Sequence, residues 1–339
     1  MNVKTYSTKE FAKIVGISKN HLLKLELEGK VPAAKRVQRG KIEHRFYTVE
    51  DIVVYREILG MPPIIDKRRT QLFLNFKGGT GKSTISASYA YAVAELGIET
   101  LAIDLDAQQH MTKCLGFEAK RDTNSIYEVL IDNKDINEVI AHTKMPTLDI
   151  IPANIKLSVI ENRLPNKEMK EFLLTSALNK IKLKDYKIIV IDSLPNITLL
   201  NKNAILCATD LLIPVLPDFF SFDGLGLLFE ELARMESAFS LYTEFRGGLL
   251  DNIYVFINQY RSNEVMSRQS RGALEKNYAD YLCETMIAYN TKIAQSTAAG
   301  MPIFQYNRSC TGAKHIKALV DEILKISQNR KKKVKKIQK

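Results

Sequence analysis

Eight consecutive residues, Lys77-Gly78-Gly79-Thr80-Gly81-Lys82-Ser83-Thr84, carry the densest chemistry in the chain. Their glycines let backbone N–H groups come close to phosphate oxygens. The loop follows an apolar run, Gln71–Asn75, and opens a helical stretch, Ser83–Leu96, whose N-terminal dipole favours an anion. At this spacing Lys82 reaches the β/γ-phosphates of a nucleotide and the Ser83 hydroxyl ligates Mg²⁺, with Gly78, Gly79, Thr80, Gly81 and Thr84 completing the cradle. The usual pattern G-x-x-x-x-G-K-[ST] wants glycine at position 76, where this chain has Phe76, and an additional Lys77 opens the loop. Lys77 is too close to the loop to serve its own phosphates as Lys82 does. A lysine there can reach a nucleotide held by a second subunit.

Two further segments end apolar runs with carboxylates. Leu101-Ala102-Ile103-Asp104-Leu105-Asp106 places Asp104 and Asp106 at a strand end, and Ile188–Ile191 is followed by Asp192. Strand C-termini line the ligand crevice of parallel sheets, so Asp192 is placed to hold Mg²⁺, usually through a water. No histidine is placed as a general base, and none is needed, because phosphoryl transfer is mostly positioning and charge neutralisation.

Elements that could position these groups alternate along residues 70–327. Candidate strands are Gln71–Asn75, Thr100–Ile103, Leu148–Ile151, Ile188–Ile191, Leu211–Val215 and Ile253–Ile257, with helical stretches such as Leu225–Ala238 between them. Several strands are continuous apolar runs, as expected when both faces are buried. The reading is a doubly wound, mostly parallel α/β sheet of the P-loop NTPase class.

Residues 1–60 read differently. Thr8 is expected to cap a helix through Phe11, Ala12, Ile14 and Val15, with Gly16 turning the chain. Ser18 caps a second helix carrying Leu22, Leu23, Leu25 and Leu27, ended by Gly29. A basic hairpin follows, with Lys35, Arg36, Arg39, Lys41 and Arg45. Thr48 caps a third helix with Ile52, Val53 and Ile58 inward, and Met61-Pro62-Pro63 opens a linker over 61–69. Helix, tight turn, helix, wing, helix is a winged helix-turn-helix order. Its second helix would carry Lys19, Asn20 and Lys24 into a DNA groove, and the wing cations would lie over phosphates.

Charge supports that division. The net +11 comes from 49 Lys plus Arg against 38 Asp plus Glu. Residues 1–70 hold 15 basic and 8 acidic side chains; residues 328–339 hold 7 basic and none acidic, and read as a disordered tail. Residues 71–327 therefore carry a net charge of −3. Deleting the tail is expected to weaken non-cognate DNA binding while leaving recognition by residues 6–60 largely intact. No run approaches the roughly 18 apolar residues of a membrane span, the first residues hold no signal-peptide core, and four scattered cysteines suit a reduced cytoplasmic protein.

The N-terminal segment resembles the MerR-type winged helix in "YSTKEFAKIVGISKNHL", "EGKVP" and "RFYTVEDI", departing from it at Leu23, Lys24 and Leu25. The deviant loop, the Asp104–Asp106 strand end and the Asp192 segment resemble the ParA/MinD family of ATPases. The likeness extends through "LDIIPAN", "YKIIVIDSLPNITLLNKNAILCATDLLIPVLPDFFSFDGL" and "AAGMPIFQY". It implies an ATP-sandwich homodimer in which Lys77 crosses to the partner's phosphates. Lys82 and Ser83 serve phosphate and Mg²⁺, Asp104 lies near the metal, Asp106 positions water, Asp192 closes the metal site, and Asn258 contacts adenine. Ala107 replaces the family's usual Pro, and Ser193-Leu194-Pro195 replaces Thr-Pro-Pro. The resemblance also implies nonspecific DNA binding, for which Arg261, Arg268, Arg271, Lys292, Arg308, Lys314 and the Arg330–Lys336 cluster are candidates. It further implies a ParB-type partner that stimulates hydrolysis, and a cytoplasmic, nucleoid-associated protein without a membrane partner. Two alternatives stay open: a nucleotide-sensing transcriptional regulator and a MinD-like membrane-cycling ATPase.

Overall fold

The computed structural model describes residues 4–39, 42–120, 122–218 and 220–329. Lys41 and the Arg330–Lys336 cluster lie outside them, as does the Arg39 side chain.

Residues 69–257 supply a seven-stranded sheet in the order β5-β6-β4-β7-β3-β8-β9. Its strands are β3 (Arg69–Phe73), β4 (Thr100–Asp104), β5 (Ala141–His142), β6 (Leu148–Ile151), β7 (Ile188–Asp192), β8 (Asp210–Val215) and β9 (Asn252–Ile257). All pairings are parallel except the short β5–β6 edge. Every residue of β4, β6, β7 and β8 is buried, which is why these segments are mostly apolar on both faces. The expected strands are all present, with ends shifted by up to two residues.

Helices cover both faces: α4 (Lys82–Ala94), α5 (His110–Cys114), α6 (Ile126–Leu130), α7 (Leu173–Asn179), α8 (Leu199–Cys207), α9 (Phe220–Ala238), α10 (Ser240–Arg246), α11 (Val265–Asn277), α12 (Thr291–Ala298), α13 (Ile303–Tyr306) and α14 (Thr311–Asn329). One apolar cluster, with Ala90, Ile188, Ile316 and Val320, fills one side of the sheet; a second, with Leu101, Ile189, Leu200 and Leu228, fills the other. Because β3 lies between β7 and β8, the loop after β3 emerges at the sheet's topological switch point, where such folds hold ligands.

Ahead of the sheet come α1 (Thr8–Val15), α2 (Lys19–Leu27), the antiparallel hairpin β1 (Lys35–Arg39) and β2 (Ile42–Phe46), and α3 (Val49–Ile58). Gly16 adopts φ +95° at the turn between α1 and α2, and Ser18 caps α2 through His21 N–H. Some details differ from expectation. Ser7, not Thr8, caps α1, because Glu10 three residues on completes a reciprocal capping box with it. Leu27 is 89% exposed, and Val53 and Ile58 also face outward. The buried stripe of α3 is Val49, Ile52 and Tyr55, whose ring packs edge-on against Phe11.

This unit is docked on the sheet domain. Its core residues Tyr6, Phe11 and Ile52 belong to the same apolar cluster as Ile98, Ile323 and Leu324. The Tyr6 hydroxyl donates to the Glu95 carbonyl at the end of α4. The buried Glu95 carboxylate takes Arg308 in a bidentate pair, with Lys4 3.6 Å away. Arg56 donates to the Val15 and Pro62 carbonyls, fixing the Met61-Pro62-Pro63 turn.

Candidate active site

The loop after β3 is built by glycine geometry. Gly79 and Gly81 sit at φ +75° and +84°, and Gly81 caps the N-terminus of α4. A Cβ on Gly81 would lie 2.4 Å from Asn258 Nδ2, so only glycine fits there. Asn258 Nδ2 donates to Thr80 O at 2.7 Å, and its Oδ1 accepts from Gln259 N at 3.0 Å. Asn258, expected at adenine, is thus committed to bracing the loop from the end of β9. Asn75 anchors the other side, donating to Pro214 O at 2.7 Å and accepting from Lys77 N at 2.9 Å.

Lys82 is buried, with Nζ 3.4 Å from Lys77 O. Burial lowers its pKa, and the carboxylates of Asp192 and Asp106 oppose that shift in part. Thr84 Oγ1 lies 3.2 Å from Thr297 Oγ1 on α12.

Asp192, at the end of β7, is fully buried. Ser86 donates to Oδ1 at 3.1 Å, and the nearby Ser83 hydroxyl favours the charged carboxylate. Its Oδ2 is buried with no partner among the described residues, as is Thr80 Oγ1. Burial, then the neighbouring Asp104, pushes the Asp192 carboxyl well above the usual carboxylate range. An orphaned oxygen on a destabilised carboxylate beside the loop serine is what a divalent cation would relieve.

Asp104 neighbours Asp192 across the β4–β7 pair, and protein donors engage both of its oxygens. Its Oδ2 accepts from Thr112 N (2.9 Å) and Thr112 Oγ1 (2.7 Å), and its Oδ1 accepts from Asp106 N at 3.0 Å. With its oxygens engaged by protein donors, Asp104 shapes the turn that presents Asp106. Asp106 is half-exposed at the crevice and accepts from Gln108 N at 2.9 Å.

Lys77 does not point at its own phosphate cradle. Its Nζ sits 2.8 and 2.7 Å from the two oxygens of Asp218, which also accepts from Ser221 N and Oγ at the start of α9. Sequence reasoning missed Asp218, Ser86 and Thr112. Ser86 carried a faint signal, lying one helical turn beyond Ser83. Asp218 meets Lys77 across 141 positions and carried none.

A family model described as an AAA domain matches residues 69–242. The chain is 36% identical over 324 residues to the cell division protein PomZ of Myxococcus xanthus, covering 96% of this chain and 94% of that one. The chain is a P-loop ATPase of the ParA/Soj/PomZ family. It is also 28% identical to the chromosome-partitioning ATPase Soj of Treponema pallidum, over 76% of this chain and 97% of Soj. A solved structure described as a partition protein superposes with TM-score 0.70 at 20% identity, over 97% of this chain and 94% of that chain. Cobyrinic acid a,c-diamide synthase of Mycobacterium smegmatis with bound ATP analogue and magnesium gives 0.64 at 22%, over 77% and 96%.

In this ParA/Soj/PomZ ATPase the cradle fits ATP and Mg²⁺. Lys82, the loop N–H groups and Thr80 would hold phosphate, and Ser83 and Asp192 would hold the metal. Mg²⁺ supplies charge neutralisation on phosphate oxygens, while the chain's own groups bind, orient and exclude water.

The expected DNA-contacting cations divide into two groups. Lys19 and Asn20 are exposed on α2, and Lys24 makes only an exposed 3.7 Å pair with Glu28. Lys35 pairs with Asp51 and Arg36 with Glu43 in largely exposed contacts, whereas Arg45 bonds the buried Glu26 carboxylate. In the sheet domain Arg261 pairs with Glu264 and Arg271 with Glu275. Arg268 donates to Ser262 O, Lys292 to Gln295, and Lys314 is exposed. Arg308, bound to Glu95, is a structural brace rather than a free surface charge.

Proposed function

We propose that this ATPase is a DNA-partition motor. ATP and Mg²⁺ join two copies face to face, the dimer binds DNA without sequence preference, and a ParB-type partner stimulates slow hydrolysis and release. Residues 6–60 bind a specific operator and repress the chain's own transcription unit. The protein works in the cytoplasm on the nucleoid; no helix among the described residues is long and apolar enough to cross a membrane.

The observation that carries this reading is Lys77. A lysine at the mouth of the phosphate loop, held aside by a part-exposed Asp218, is poised to serve phosphates other than its own. Within one site Lys82 neutralises charge, Asp106 orients the attacking water, and Asp192 with Ser83 fixes the metal. A second reading concerns the cargo. The PomZ match extends over the N-terminal unit, whereas the Soj match covers about three quarters of the chain. On this second reading the same ATPase cycle serves cell division, as the name of PomZ states for that protein.

The test is ATP-dependent retention on non-cognate DNA. Lys82→Ala should lose retention, whereas Asp106→Ala should keep it and hydrolyse little ATP. Wild-type behaviour of both variants would sink the mechanism.

A further inference from the structure

The chain that leaves Asp192 is held in place by one buried amide. β7 ends at Asp192, opposite Phe73 of β3 and Asp104 of β4. Ser193 is buried, and its hydroxyl donates to Phe73 O at 2.7 Å, so the chain leaves Asp192 pinned beside the strand that feeds the phosphate loop. Residues 193–198 then cross to α8 along the end of the sheet that lines the ligand crevice. Asn201 of α8 lies beneath them and is 1% exposed. Its Nδ2 donates to Leu194 O at 2.9 Å and to Asn196 O.

α8 does not need that amide to begin. Thr198 caps it by accepting from Asn201 N at 3.2 Å. Glu161, on the helical turn Ile155–Asn162, accepts from Leu199 N and Leu200 N, each at 3.0 Å. The side-chain donors of Asn201 are thus spent on the loop alone. Its Oδ1 is buried without a partner among the described residues, which costs stability. What the loop gains is direction. The peptide joining Asn196 to Ile197 is trans, so with Asn196 O drawn in toward Asn201 the Ile197 N–H points the opposite way. Asn196 and Ile197 are exposed, and among the described residues neither backbone N–H has a hydrogen-bond partner. Pro195 between the two anchored carbonyls has no N–H to offer. Free backbone donors facing out of a turn, just beyond Asp192, suit an anion that arrives with the nucleotide.

We propose that Asn201 is a positioning residue for telling ATP from ADP: it turns the N–H groups of residues 196–198 toward the terminal phosphate. The cradle of Gly78–Thr84 serves both nucleotides, whereas this loop meets only the one with the additional phosphate. Asn201 touches neither nucleotide and acts through the two carbonyls it holds.

The experiment measures affinity of the full chain for ADP and for the non-hydrolysable analogue AMPPNP by calorimetry, both with Mg²⁺. Asn201→Asp keeps the shape and sets a carboxylate against the two carbonyls; Asn201→Ala removes the donors without adding charge, and carries the test if the first variant does not fold. Each should weaken AMPPNP about 10-fold or more, as for a lost hydrogen bond to a charged group, and leave ADP unchanged. Ile197→Ala keeps the N–H and should keep the wild-type ratio of the two affinities. Hydrogen exchange over residues 193–198 should slow with AMPPNP and not with ADP in wild type, and with neither in the Asn201 variants. Equal weakening of both nucleotides would make Asn201 a structural residue only, and an unchanged AMPPNP affinity in folded Asn201→Ala would overturn the proposal outright. Repeating the comparison in a Lys77→Ala background should give the same ratio; an effect that disappears there would belong to the pairing of two copies and not to this loop.

Discussion

Replacing Asp218 with Asn should release Lys77 from its own protomer. The ammonium lies 2.7 and 2.8 Å from the two carboxylate oxygens, and both side chains are 28% exposed. Hydrogen bonds to charged groups contribute about 1.5–3 kcal/mol net when sheltered, and the exposure here argues for the lower end. In the proposed sandwich each protomer would give up one such pair before Lys77 crosses, so closing would cost about 3 kcal/mol over two latches. That corresponds to roughly 100-fold in the dimerisation constant. Asn keeps an acceptor for Ser221 N, 2.9 Å from Asp218 Oδ1, so the start of α9 survives. Sedimentation equilibrium with Mg²⁺ and a non-hydrolysable ATP analogue should show Asp218→Asn dimerising about 100-fold more tightly than wild type. The gain should vanish without nucleotide and in a Lys77→Ala background. An unchanged or weaker dimer would refute the latch, and with it the idea that the closed pair is the resting state of Lys77.

Three other outcomes follow from the geometry. Asn258→Ala should raise the KM for ATP and GTP by similar factors, since the residue braces the loop; a change in ATP-over-GTP preference would restore it to an adenine contact. Gly97→Ala puts a Cβ 2.8 Å from Ile52 Cγ2 at φ +76° and should cost about 2–4 kcal/mol. It would be seen as a lower Tm and faster proteolysis at residues 61–68, and full resistance would mean that the docking is not present in solution. Arg308→Ala strands the buried Glu95 carboxylate with only Lys4 at 3.6 Å. It should lower stability by about 1–3 kcal/mol, discounted for the half-exposed arginine, while leaving the salt slope of DNA binding unchanged; a flatter slope would return Arg308 to the DNA surface.

Local sequence carried the phosphate loop, the strand-end carboxylates and the individual strands, because each depends on residues within about ten positions. Glycine spacing defines the loop, and a fully buried parallel strand must be an apolar run. What local sequence could not carry was pairing across the chain. Asp218 looked like one more loop acid until the fold brought it to Lys77. Arg308 looked like a surface cation until Glu95, 213 positions away, was found beneath it. Leu27 and Ile58 illustrate a different failure. Helical periodicity marks an apolar stripe but not how wide a strip the neighbours cover, and here α2 buries only Leu22 and Leu25.

The Lys4–Glu95–Arg308 cluster bears on how the chain is made. The ribosome releases the N-terminal unit first, but Arg308, Ile323 and Leu324, which complete its seat, are translated last. At about 5–20 residues per second, some 250 intervening residues leave the unit waiting roughly 12–50 s for its berth. During that interval a nascent chain would present a finished N-terminal unit on an unfinished body. Arg308 and the α14 core residues then tie the N-terminal unit to the sheet domain, and unfolding in either region must break the same seam.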